Sequence, residues 1–340
     1  MANAFVTGGS GFVGRNLLQA LVARGDKVAA LVRSDAAAAV VEAAGATPVR
    51  AELHDVAAMA RGMEGASVVY HAAAKVEEWG TPEEFERVTV EGTLAVLAAA
   101  RAAKVSTFVH VGTEAVFVGG EPLHNVNESR PIPRRPLGLY PGSKARAEQA
   151  VVAANSPELR TVVVRPRLIW GHGDTAVLPK VAAAVKKGRF SWIDGGHYLT
   201  STCHVRNVAE GLIAAAERGR GGEAYFLTDG PPVEFRAFMS AMLATVGAAP
   251  VTRSIPFWLA HAIARVGDAL WSAVRAKNPP PMTHAIVHLI GQEVTVDDAK
   301  ARRELGYQGL VSREEGLSEM QTGRVAAWTG GAVVMQPVLS

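Results

Sequence analysis

The chain has 340 residues, 49% of them hydrophobic, enough to enclose a sizeable core in one large or two ordinary domains. Its 35 Lys plus Arg stand against 32 Asp plus Glu, a net charge of +3 that leaves no concentrated basic patch and argues against nucleic acid as a partner. A single cysteine, Cys203, excludes an internal disulfide framework and a cysteine-rich zinc site and suits a reducing cytosol. No signal-peptide pattern precedes Thr7, and the most apolar stretch, Ile255 to Val274, is broken too often by Pro256, His261, Arg265 and Asp268 to span a membrane.

The first element is a strand through Phe5 and Val6. It runs into Thr7-Gly8-Gly9-Ser10-Gly11-Phe12-Val13-Gly14, and an apolar-periodic helix follows from Phe12 to Val22. Glycine turns sharply and admits a ligand without a Cβ, and a helix N-terminus offers free N–H groups and positive dipole to an anion. A dinucleotide pyrophosphate is the expected guest of Gly8, Ser10, Gly11, Phe12, Val13 and Gly14. The second strand, Lys27 to Val32, ends in Arg33. Where an acidic residue would read the adenosine ribose this chain has Val32 followed by Arg33, which favours a 2′-phosphate and therefore NADP over NAD.

A helix is expected from Asp35 to Ala44 and a third strand from Thr47 to Leu53, with Glu52 and Leu53 on the adenine side of the pocket. The fourth strand, Ser67 to His71, enters Ala72-Ala73-Ala74, small residues that let a backbone lie against a flat dinucleotide, while His71 reads as a packing histidine. A helix from Glu83 to Ala103, a fifth strand from Val105 to Val111 and a Gly-, Pro- and Asn-rich loop from Val118 to Pro136 follow. The next helix begins at Leu139-Tyr140-Pro141, with proline in its first turn. Strand-like Thr161 to Val164 leads to Arg165-Pro166-Arg167-Leu168.

Tyr140 and Lys144 stand four apart and share a helix face. A neighbouring ammonium lowers a phenol's pKa, so Lys144 is expected to acidify Tyr140 for proton exchange with a carbonyl or alcohol oxygen; Thr113, at another strand end, is the second donor. Thr113, Tyr140 and Lys144 form the expected catalytic set.

With these marks the chain resembles an extended short-chain dehydrogenase/reductase, in particular the 3β-hydroxysteroid dehydrogenase-like branch. The resemblance rests on the opening glycine turn, His71-Ala72-Ala73-Ala74, Tyr140-x-x-x-Lys144, Arg165 to Asp174, His204 to Glu210 and Ala301 to Tyr307. It implies an α/β Rossmann-type doubly wound parallel sheet over residues 1–170. A smaller, mostly helical substrate region is implied over 171–325, with some strands returning to the main sheet, and a tail over 326–340. It also implies that Lys144 holds the nicotinamide ribose and that Pro166 and Leu168 border the nicotinamide. Two departures stand out: Thr89 replaces the family's usual asparagine, which removes the expected support for a water relay to Lys144, and Gly112-Thr113 replaces a serine pair, which keeps a hydroxyl.

Beyond residue 171, a helix is expected from Thr175 to Lys187, followed by the aromatics Phe190, Trp192 and Tyr198. Phe257, Trp258, Leu259, Ala262, Ile263, Val266, Leu270, Trp271 and Val274 form a helical apolar stripe. It reads either as a packed helix or as a lid over a greasy substrate, with peripheral contact to a membrane or a second copy of the chain as further uses. His172, His197, His204, His284 and His288 do not form a metal-binding group, and no metal is expected. The tail from Ala326 reads as a docking or mobile segment. The leading reading is a cytoplasmic NADP(H)-dependent oxidoreductase, a ketoreductase of a bulky hydrophobic ketone, monomeric or homodimeric. Its competitors are a nucleotide-sugar epimerase or dehydratase with bound NAD and an idle nucleotide-binding protein. The apolar C-terminal half favours the first.

Overall fold

A computed structural model describes residues 2–77, 79–274, 278, 280, 282–328 and 334–335. Its centre is a seven-stranded parallel sheet of β1 (Asn3–Thr7), β2 (Lys27–Val32), β3 (Thr47–Arg50), β4 (Val68–His71), β5 (Thr107–Val111), β6 (Arg160–Pro166) and β7 (Glu223–Leu227), in the order β7-β6-β5-β4-β1-β2-β3. β4 and β5 are buried along their whole length, which is why they read as continuous apolar runs rather than alternating ones. The order reverses between β1 and β4, and in such sheets ligands bind in the crevice that this reversal opens at the strands' carboxyl ends.

Helices cover both faces. On one, α1 (Phe12–Ala23), α2 (Asp35–Ala43) and α5 (Val205–Arg218) bury Leu17, Leu21, Val41, Val208 and Leu212 against β1, β2 and β6; on the other, α3 (Gly92–Ala102) and α4 (Leu139–Ala153) bury Val96, Leu97 and Val151 against Phe5, Val69 and Phe108. The doubly wound α/β class expected from the sequence is thus the observed one.

Several local expectations change. The helix expected from Glu83 to Ala103 is divided into a short turn at Pro82–Phe85, a π-helical segment at Glu86–Glu91 and α3. The expected loop contains a strand, Leu123–Val126, that pairs in parallel with Val294–Val296. The partner lies some 170 residues away, so only the buried ends Leu123 and Val126 hinted at it. Phe190, Trp192 and Tyr198 join Phe235, Phe238 and Met242 in a separate core of the C-terminal region, with Trp192 edge-on to Phe190 at 4.9 Å and Tyr198 stacked on Phe235 at 5.6 Å.

The apolar stripe lies on α6 (Phe257–Ala273), whose buried residues are Ala260 and Ala264, while Trp258, Ile263, Val266 and Leu270 are more than half exposed. No described helix is long and apolar enough to cross a membrane. The tail begins docked: Ala326 is buried and donates its N–H to Glu319, and the Trp328 ring lies under the Arg206 guanidinium at 4.8 Å. Residues 329–333 and 336–340 of the tail lie outside the described residues.

Candidate active site

The glycine turn sits at the crevice. Gly8 has φ +73°, and a Cβ there would stand 2.8 Å from the Ala73 nitrogen; a Cβ on Gly14 would stand 2.0 Å from the Gly8 carbonyl oxygen. Glycine is therefore required at both positions, one for conformation and contact and the other for contact alone. No side chain caps α1, so the N–H groups of its first turn face the crevice for an anion. Ser10 and Gly11 are exposed and Phe12 and Val13 half-buried. This cradle, closed on its far side by the half-buried Ala72, Ala73 and Ala74, fits a nicotinamide dinucleotide.

A chain of hydrogen bonds holds the cradle in place. Thr93 donates to the Thr89 carbonyl (2.6 Å), so its oxygen accepts from His71 Nε2 (2.9 Å); His71 Nδ1 then accepts from the Thr7 hydroxyl (2.7 Å), which accepts the Ala73 N–H (3.4 Å). The tautomer follows from the network. Thr89 uses its hydroxyl to accept the Lys75 backbone N–H at 3.2 Å. Burial first, then the Lys144 charge, hold His71 down at about 3. The sign is that of a group depressed in the folded state: its stabilising effect is complete above the unfolded value near 6.5 and is lost as pH falls toward 3. Between pH 7 and 5 this histidine alone is expected to remove about 2 kcal/mol of stability. Urea unfolding at the two pH values checks it; an unchanged unfolding free energy would contradict a neutral His71.

Arg33 ends β2, exposed, and makes no side-chain hydrogen bond or ion pair among the described residues. Its neighbour across the strands, Arg50, is instead engaged by Asp35. Glu52 is exposed beside them, whereas Leu53 is buried against Gly92.

The second half of the site is built where β5, β6 and α4 meet. Thr113 follows β5 and caps the turn Glu114–Phe117, accepting the Ala115 N–H at 3.2 Å and donating to Glu114 Oε2 at 2.9 Å. Its hydroxyl also meets the Tyr140 phenol from the first turn of α4. Burial, and then the Glu114 carboxylate, push that phenol up to about 12, with the Thr113 hydroxyl pulling the other way. Lys144 does share the tyrosine's helix, but its ammonium turns to the end of β5, donating to the Val111 carbonyl at 2.6 Å and approaching His110 at 3.4 Å. The expectation of a phenol acidified by Lys144 is therefore corrected: in this arrangement Tyr140 is a proton-bearing acid. Lys144 itself is lowered to about 8 by burial, opposed by Glu148, which forms a buried ion pair with Arg165.

Sequence reasoning missed the residue pair that ties this corner together. Glu114 and Arg167, both buried, form an ion pair at 2.8 Å, and Arg167 also donates to Thr200 at 3.2 Å and to the Leu289 carbonyl at 2.7 Å. A charged residue beside Thr113 and a second arginine two after Arg165 were the available signals. Pro166 and Leu168 flank Arg167, both buried, with Leu168 at φ +40°. His261, on a different helix and 23 residues before His284, is placed by the structure with His284 and His288.

A reversed parallel sheet with a glycine cradle at its crevice and a Tyr-x-x-x-Lys helix beside a strand-end threonine defines an oxidoreductase of the extended short-chain type. The sequence profile of the 3-beta hydroxysteroid dehydrogenase/isomerase family matches residues 5–257, and the chain belongs to that family. It is 53% identical over 317 residues to a 4-hydroxy-2-methyl-3-oxo-4-farnesyl-3,4-dihydroquinoline-1-oxide ketoreductase of Stigmatella aurantiaca, covering 93% of this chain and 95% of that one. It is 33% identical to a 2-alkyl-3-oxoalkanoate reductase of Stenotrophomonas maltophilia, covering 94% and 99%. Among solved structures, that of gox2253 superposes with a TM-score of 0.75 at 24% identity, covering 95% and 99%, a likeness of fold.

Proposed function

We propose that this chain is an NADP(H)-dependent ketoreductase whose substrate is a ketone carried on a bulky hydrophobic body, of the farnesylated dihydroquinoline oxide or 2-alkyl-3-oxoalkanoate kind named for its relatives. The observation that carries the reading is the Tyr140 phenol, proton-bearing to about 12 and in contact with the Thr113 hydroxyl at the carboxyl end of β5. When bound, the dinucleotide supplies a hydride. Tyr140 gives its proton to the ketone oxygen, and Thr113, by rotating its hydroxyl away from Glu114, adds a second donor to the same oxygen. Lys144 is the residue to hold the nicotinamide ribose, from a site buried beside the Val111 carbonyl. NADPH oxidation against a panel of such ketones, with nucleotide sugars as the contrasting arm, tests the reading; turnover of sugars alone would overturn it.

The exposed, unpaired Arg33 supports the choice of NADP. Arg33→Asp is expected to move the NADPH:NADH ratio of kcat/KM by about 100-fold toward NADH, a loss of roughly 2.7 kcal/mol of discrimination. An unchanged ratio would show that another group reads the phosphate. The exposed apolar face of α6 supports contact between this helix and a lipid surface that supplies such substrates. Cosedimentation with phosphatidylcholine vesicles, weakened by Trp258→Ser, is the expected result; equal partitioning of both proteins would remove that role.

A further inference from the structure

Two helices of the C-terminal region carry a histidine cluster that the proposed reduction does not use. α6 contributes His261, and α7 (His284–Ile290) contributes His284 and His288, which share one face because they lie four apart. The His261 and His284 Nε2 atoms are 2.9 Å apart, and one nitrogen from each of the three rings falls within 4.8 Å of the others. His288 is only 3% exposed and neither of its ring nitrogens has a hydrogen-bond partner, although Gln292 and the Gly120 backbone approach. Two buried nitrogens without a partner are costly unless something else satisfies them.

Charge of both signs lies near the cluster: the Arg265 guanidinium acts on His284, and an acidic side chain stands one turn further along α6. Asp268, two helical turns after His261 on α6, accepts the backbone N–H of His284 with one carboxylate oxygen at 3.0 Å, while its other oxygen is buried without a partner. Phe257 lies edge-on to both His261 and His288, at 5.9 and 5.3 Å between ring centres, and gives the cluster an apolar wall. α7 is anchored toward the candidate active site through Arg167 on the Leu289 carbonyl, at 2.7 Å, and Tyr198 on the Ile290 carbonyl. α6 is tied at its start by the Phe257 N–H on Asp194, at 2.8 Å, and to α7 by the Asp268 carboxylate and the histidine pair.

We propose that His261, His284 and His288 form a Zn²⁺ site that clasps α6 onto α7. Three imidazoles are a ligand set for zinc and its late first-row neighbours, and a tetrahedral ion with Zn–N near 2.05 Å wants nitrogens about 3.3 Å apart, between the closest and widest separations here. Binding forms three N–Zn bonds from imidazole lone pairs and releases waters from the ion. In the His261–His284 contact one Nε2 carries a proton; it passes through water to the same ring's Nδ1, so the ligands stay neutral and no proton is lost. The fourth position is left to water. The ion takes no part in proton or hydride transfer.

The test uses the full-length chain, stripped with EDTA and dialysed free of it, at pH 7.5. Calorimetric titration with Zn²⁺ is expected to saturate at about one ion per chain, and Zn²⁺ at 100 times its Kd to raise Tm by about 4 °C. Co²⁺ is expected to give the intense visible bands of four- or five-coordinate nitrogen ligation without a thiolate band, a readout on the unaltered protein that needs no variant to fold. His261→Gln and His288→Gln should each weaken Zn²⁺ binding by about 100-fold with unchanged circular dichroism, while His124→Gln and His197→Gln, at exposed sites, should not. Unsaturable binding, a pale octahedral Co²⁺ spectrum, or affinity unaltered in both ligand variants would overturn the proposal.

Discussion

Tyr140→Phe is expected to lower ketone reduction by roughly 10³-fold at saturating NADPH and ketone while leaving dinucleotide affinity within about a factor of three. The substitution keeps the ring, its burial and its place in the first turn of α4, and removes only the hydroxyl. Thr113 still donates to Glu114, so no buried group loses its last partner and folding should be unaffected. Because the phenol holds its proton to about 12, wild-type reduction should show no fall in rate assignable to this group between pH 6 and 9 in the absence of other titrations. Single-turnover NADPH oxidation with dinucleotide fluorescence titration separates the two effects. A variant that keeps more than about a tenth of the activity would place the proton donor elsewhere.

The second large effect is on stability. Arg167→Met is expected to destabilise the chain by about 3–5 kcal/mol, because it leaves the Glu114 carboxylate buried and without its counter-charge. It also releases the Leu289 carbonyl, and with it the anchor of α7. Glu114→Leu combined with Arg167→Met should recover most of the loss, since removing both charges spares their desolvation. Denaturant unfolding of the two single variants and the double variant forms the cycle. Loss of less than about 1 kcal/mol in Arg167→Met would mean that the pair does not hold this corner. Because Glu114 also receives the Thr113 hydroxyl and raises the Tyr140 phenol, the same variant should alter activity even where it folds.

The parts of this molecule that were legible before folding are those governed by neighbours in the chain. Gly8 and Gly14 announce a tight turn because no Cβ fits between β1, Ala73 and α1 at either position, and the alternation of apolar runs with helical periods announces a parallel sheet. The spacing of Tyr140 and Lys144 places both on one helix face whatever the rest of the chain does. It did not say where each side chain points. Lys144 is buried and finds its acceptor on β5, some 33 residues back, so its charge is spent on the Val111 carbonyl and not on the phenol. The apolar stripe of α6 shows the opposite failure: periodicity announced an amphipathic helix, but in this fold its large residues face outward and the small Ala260 and Ala264 face in.

From the sequence alone came the fold class, the glycine turn between β1 and α1 and the shared helix of Tyr140 and Lys144, because each depends on backbone rules and short spacings. Tertiary structure alone decided the partner of Lys144, the burial of the Tyr140 phenol beside Glu114, the Glu114–Arg167 tie across 53 residues and the meeting of His261 with His284 and His288 across 23 or more. Those outcomes depend on burial and on which distant elements the sheet and the C-terminal helices bring within a few ångströms, and a buried charge or imidazole takes whatever partner that packing supplies.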